Sequence, residues 1–150
     1  MSKLKTRTKW RVLLFSIALF GPLSFIFPVD RTNPPVTGEI EAPEEVMAIL
    51  RRSCYDCHSN ETVWPWYSYV APASWLVARD VQKGRDELNF SEWDSYTTKQ
   101  KRHKRKECGE EVEDGEMPLW FYVPLHPNAD LTAEDVDLLV SWSSGTLRNE

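Results

Sequence analysis

Apolar positions divide this chain into one charge-free stretch near its start and several short helical patterns after it. From Val12 to Val29 the sequence VLLFSIALFGPLSFIFPV carries no charge. At a helical rise of ~1.5 Å it would extend about 27 Å, enough to cross a thin hydrocarbon core. Further on, Val46, Ile49 and Leu50 recur at helical spacing, Pro43 suits a first turn, and Glu44 and Glu45 complement a helix N-terminus. A helix is therefore predicted from about Pro43 to Arg52. Trp75, Leu76 and Val81 predict a second from Ala73 to about Glu87. Asn89-Phe90-Ser91-Glu92 reads as a turn and N-cap into a third helix, through Trp93 and Tyr96 into Lys99 to Lys106, which Gly109 closes. The last helix has the clearest signals: Thr132 with Asp135 resembles a capping box, Val136, Leu139, Val140 and Trp142 follow, and Gly145 stops it. Residues 110–130 hold Gly115, Pro118, Pro124 and Pro127 without periodicity and read as an irregular loop. No repeat, glycine-rich phosphate loop or alternating strand pattern occurs.

Charge adds a direction to this pattern. Lys3, Lys5, Arg7, Lys9 and Arg11 precede the apolar stretch, and the first acidic residue is Asp30. By the positive-inside rule, residues 1–11 form a cytoplasmic basic segment, 12–29 a transmembrane anchor, and everything after Asp30 lies outside. A cleaved secretory signal is the alternative, but Ile26, Phe27 and Val29 stand where small residues would be needed. Residues 30–42, with Pro34-Pro35, read as a Pro-rich linker, 43–145 as the domain and 146–150 as a tail. The expected location is the cytoplasmic membrane, single-pass, with the domain facing the periplasm or cell exterior. The 41% apolar fraction supports a packed domain. Without the five N-terminal cations, 13 basic side chains face 23 acidic ones, an excess that argues against a nucleic-acid partner.

Cys54-Tyr55-Asp56-Cys57-His58 is a CxxCH motif, the signature of c-type haem attachment. Two cysteines three apart on a helical turn can each form a thioether to one vinyl group of the same porphyrin, and the next residue brings an imidazole to the iron. A thioredoxin-like pair would need a βαβ context that is missing. A zinc site would need a second ligand pair, and His103 and Cys108 are not spaced as one. Attachment occurs on the outer side of a membrane, in agreement with the topology above.

The residues that follow extend this signature: Trp64 to Tyr67 (WPWY), Pro72 to Trp75 (PASW), Asp80 to Arg85 (DVQKGR), Asn89 to Trp93 (NFSEW), Gly115 to Pro118 (GEMP) and His126 to Ala129 (HPNA). Together they resemble the bacterial haem-binding-domain family of small monohaem proteins, over about residues 30–145. The resemblance implies a cytochrome c-like fold. The expected architecture is thus all-α, a cytochrome c-like haem domain preceded by one N-terminal transmembrane helix, with its first and last helices packed together.

The expected cofactor is one covalent haem c, its iron bound by His58 and Met117. Met117 stands in a Gly- and Pro-bounded loop, and a thioether opposite histidine raises the reduction potential. His126, His103 or an open position are the alternatives, and Met47 reads as core. Trp66 and Tyr67, like Tyr122, could reach a haem propionate through N–H or O–H donors, whereas most tryptophans read as core. Arg79 and Arg85 read as surface ion pairs, Lys99 to Lys106 as a solvated basic face, and Cys108 as left over. The expected task is one-electron transfer with an unidentified redox partner protein, without catalytic residues. A haem-based sensor or peroxidase-like enzyme with an exchangeable distal ligand is the alternative.

Overall fold

Helices begin where the chain supplies caps. The computed structural model describes residues 10, 11, 15, 22 and 28–146. Among them lie α1 (Glu44–Ser53), α2 (Tyr55–His58), α3 (Ala73–Glu87), α4 (Thr98–Glu113) and α5 (Ala133–Ser143), with short 3-10 turns at Trp66–Tyr69, Trp93–Ser95, Val123–Leu125 and Pro127–Ala129. No strand occurs among the described residues, only an isolated parallel bridge between Gly38 and Glu92.

Helices α1, α3 and α5 match the predicted spans closely. Helix α4 starts later than expected because Thr97 and Gln100 form a capping box: the Gln100 side chain accepts from Thr97 N at 2.9 Å, and Thr97 Oγ1 accepts from Gln100 N. Gly109 does not end this helix. The stop is Gly115, at φ +73°, where Glu116 N donates back to Glu111 O at 2.9 Å. Gly109 instead lies buried where α4 meets α5, and a Cβ there would fall 2.6 Å from Ser143 Cβ.

The chain divides into two compact units, Met1–Thr32 with Val63–Gln82, and Asn33–Thr62 with Lys83–Glu150. In the first, Arg31 donates to Ser68 O at 3.0 Å and lies over the Tyr69 ring, while Ala71 and Val81 are buried. In the second, Ile40, Val46, Ile49, Leu50, Tyr55, Phe90, Val112, Leu139 and Trp142 form the core. There α5 touches α1 but packs most extensively on α4. Residues 37–40 run extended beside 90–93, with Ile40 N donating to Phe90 O at 2.9 Å and Trp93 N to Gly38 O at 2.7 Å.

Two expectations are corrected. The all-α cytochrome c-like domain preceded by one transmembrane helix becomes a mostly helical chain in which, among the described residues, no helix is long and apolar enough to cross a membrane. The physical reason is length and charge: a span needs ~20 apolar residues, whereas α4, the longest helix described, has 16 and is dense in charge. The expected anchor at 12–29 falls mostly outside the described residues. The single-pass location in the cytoplasmic membrane, domain facing the periplasm or exterior, is withdrawn with it.

Two outcomes follow from this packing. Gly109→Ala should lower stability to urea by about 1–3 kcal/mol despite alanine's better helix propensity, since α4 and α5 must move apart. Asp135, whose carboxylate pairs with Arg52 and accepts from Thr132 N, has its pKa lowered, chiefly by Arg52. Asp135→Asn should therefore cost about 1 kcal/mol near neutrality. A depressed carboxylate pKa contributes stability above its unfolded value, so the difference between the two proteins should vanish as pH falls through the lowered native value. Paired urea titrations across acidic pH measure this.

Candidate functional site

The last turn of α3 and the CxxCH turn meet backbone to backbone. A helix C-terminus leaves carbonyls without intrahelical donors. Here Gly84 O already accepts from Leu88 N at 2.8 Å, and the His58 ring adds to it, with Nδ1 lying 3.0 Å from Gly84 O and 3.1 Å from Leu88 O. Both partners are acceptors, so Nδ1 carries the proton and Nε2 keeps its lone pair. Nε2 makes no hydrogen bond among the described residues. Burial pushes the His58 pKa down against the opposing pull of the Leu88 and Gly84 carbonyls and Glu87, which favours the neutral ring a metal requires.

Gly84 permits this approach. A Cβ there would stand 2.5 Å from Cys57 O and 3.2 Å from Cys57 Cβ. Beside it, Arg85 Nε donates to Ser59 O at 2.8 Å and Nη2 to Thr62 Oγ1 at 2.9 Å and Asn33 Oδ1 at 2.8 Å, so this side chain fixes the chain leaving the motif. Phe90 N donates to His58 O at 2.8 Å, and the Phe90 ring stacks on Tyr55 at 5.4 Å.

Cys54 and Cys57 flank one short turn, with Cys57 N donating to Cys54 O at 3.1 Å. None of the three cysteines is in a disulfide. Burial raises the Cys54 thiol pKa well above its ordinary value, with the nearby Cys108 and Cys57 adding, and burial alone pushes Cys108 up to about 11. Both sulfurs are therefore protonated near neutrality. Asp56, between Cys54 and Cys57, accepts from Tyr122 OH at 2.7 Å.

The other expected residues take these places. Met117 is partly buried against the core of the second unit, as is Met47, and its N–H donates to Glu111 O at 3.1 Å. Trp66 and Tyr67 belong to the first unit, where Trp66 is 78% exposed and meets Tyr67 edge-on at 5.8 Å. His103 is exposed and pairs with Glu107 one turn on. His126 stacks on Tyr122, 4.0 Å between centroids and 12° from parallel. Trp142 is buried as expected of core, whereas Trp120 is 83% exposed.

A family model described as a haem-binding domain matches residues 19–145. The chain belongs to the haem-binding domain family. No curated protein and no solved structure matches it. Haem binding is thus a family property, and the geometry fits it: Cys54 and Cys57 are the side chains that would hold the macrocycle, and His58, with Nδ1 held by two carbonyls, would offer a neutral Nε2 to iron. Sequence reasoning missed the carbonyls of Gly84 and Leu88 and the Asp56–Tyr122 bond. The one available signal was Gly84 itself, a glycine inside a helical pattern, which marks a close approach.

Gly84→Ala should separate α3 from Cys57 and release His58 Nδ1. Stability should fall by about 1–3 kcal/mol in urea, and the fraction of chains carrying a haem mass adduct should drop when the variant is produced beside wild type.

Proposed function

We propose that the chain holds one haem c covalently through the sulfurs of Cys54 and Cys57, with His58 Nε2 and Met117 Sδ on the iron, and that it passes single electrons to and from a redox partner protein. The observation that carries this reading is the pair of carbonyls on His58 Nδ1, which fixes the tautomer and leaves a neutral Nε2 with its lone pair on the residue next to Cys57. When bound, haem supplies an iron centre that accepts and returns one electron.

The chain's own residues suit that task. Carbonyl acceptors behind a ligating imidazole increase its basicity and hold its ring angle. Gly84 and Leu88 provide two, both on backbone rigidly spaced by a helical turn, so the imidazole needs little rearrangement when the charge at its other nitrogen changes. Met117 offers a neutral, soft thioether from a loop whose start is pinned to α4. The same loop exposes Trp120 and Leu125, apolar surface of the kind a flat apolar macrocycle covers.

Met117→Ala should keep the haem mass adduct, lower the reduction potential and let the ferrous protein bind carbon monoxide, with stability falling by about 1–3 kcal/mol as the loop loses its tie. Wild-type protein that already binds the gas would sink the assignment of Met117 and with it the case for electron transfer over sensing.

A further inference from the structure

The hydrogen bond between Tyr122 and Asp56 joins the attachment motif to a loop 66 residues away in sequence. Asp56 sits between Cys54 and Cys57, so it stays fixed relative to anything those cysteines hold. Tyr122 lies within the segment that runs from Met117 to His126. That segment is a chain of tight turns: Tyr122 N donates to Leu119 O at 2.8 Å, Leu125 N to Tyr122 O at 3.1 Å and His126 N to Val123 O at 3.0 Å. It is anchored at its far end by the buried Ala129 and at its near end by Met117 N on Glu111 O. Between these anchors, Trp120, Phe121, Pro124 and Leu125 are exposed, while Tyr122 turns inward and is partly buried.

A 2.7 Å contact from a phenol to a carboxylate is a charge-assisted hydrogen bond, about twice as strong as a neutral one. The Tyr122 ring also stacks on His126, so one side chain holds the loop at two points along its length.

We propose that Tyr122 is a positioning residue, and that its bond to Asp56 is a latch that holds the Met117–His126 loop over the attachment turn and limits exchange of ligands at the iron position opposite His58. The proposal rests on the reading that the motif holds haem, with Met117 opposite His58. Phenylalanine at 122 keeps the ring and the His126 stack and removes the O–H alone, and asparagine at 56 keeps an oxygen that can accept.

The test uses haem-loaded wild type, Tyr122→Phe, Asp56→Asn and Met117→Ala, followed by absorption on mixing with imidazole and by amide exchange over residues 119–126. Tyr122→Phe should carry covalent haem as wild type does, bind imidazole at least ~10-fold faster and exchange faster across 119–126, whereas Asp56→Asn should stay within ~3-fold of wild type because its amide still accepts. Imidazole binding by Tyr122→Phe within about twofold of wild type, with unchanged exchange, overturns the latch. Faster exchange in Tyr122→Phe without faster imidazole binding also overturns it, since the loop would then move without governing the iron. Failure of the underlying reading looks different: Met117→Ala would leave the wild-type spectrum unaltered.

Discussion

The end of α3 against the CxxCH turn is the contact on which the rest of the site depends. A helix terminus carries carbonyls that must find donors, and the imidazole that follows the second cysteine must be held by one nitrogen if the other is to serve a metal. At Leu88 and His58 each need is met by the other, and Gly84 O, which already accepts from Leu88 N, adds a second acceptor behind the ring. The spacing leaves no room for a side chain at position 84, because the helix backbone rests on Cys57 O. Residues on either side of the contact reinforce it from independent directions. Arg85 reaches Ser59 O, and Phe90 closes on His58 O while its ring packs on Tyr55. Seven residues, 84 to 90, thus grip the motif by backbone, by charge and by apolar surface.

Buried polar groups extend that grip. Asn60 is 2% exposed and Asn89 3%, which would be costly if either amide lacked partners. Neither does. Asn89 Nδ2 donates to Asn60 Oδ1 at 2.8 Å, Asn60 Nδ2 reaches Pro35 O and Glu92 Oε1 at 3.1 Å each, and Asn89 Oδ1 accepts from Ser91 N at 3.0 Å. A satisfied network of this kind resists partial displacement, since moving one member strands another. It also ties residues 33–40 down: Pro35 O feeds the network, and Ile40 enters the core two residues after Gly38 passes Asp94.

How much of this could be read from the sequence depended on whether the information was local. The CxxCH turn, the spans of α1, α3 and α5 and the Thr132–Asp135 cap are set by neighbours within one or two turns, and the sequence shows them. Helix α4 was misplaced at both ends because competing local signals existed: Ser91 is spent inside the buried network, and Gly109 serves packing against Ser143. The role of Gly84 depends on Cys57, 27 positions earlier, and that of Tyr122 on Asp56, so nothing adjacent announces either. The pairing of 37–40 with 90–93 leaves no periodic trace, because a single bridge imposes no alternation.

The basic run on α4 shows how local pairing changes what a sequence charge means. Lys101 pairs with Asp94 at 3.1 Å, Lys106 with Glu110, and Lys104 bonds Glu87 O while lying over the Tyr96 ring. Arg105 lies 5.8 Å over Trp142, its Nε buried without a partner among the described residues. Each such pair contributes little stability at an exposed position, but each directs a cation toward its own chain. Pairing of opposite charges also shortens the range of their field, whereas unmatched charge of one sign adds up. Lys101, Lys104, Arg105 and Lys106, which look continuous in sequence, are therefore turned toward separate local partners, and the unmatched charge of the chain as a whole is its excess of carboxylates.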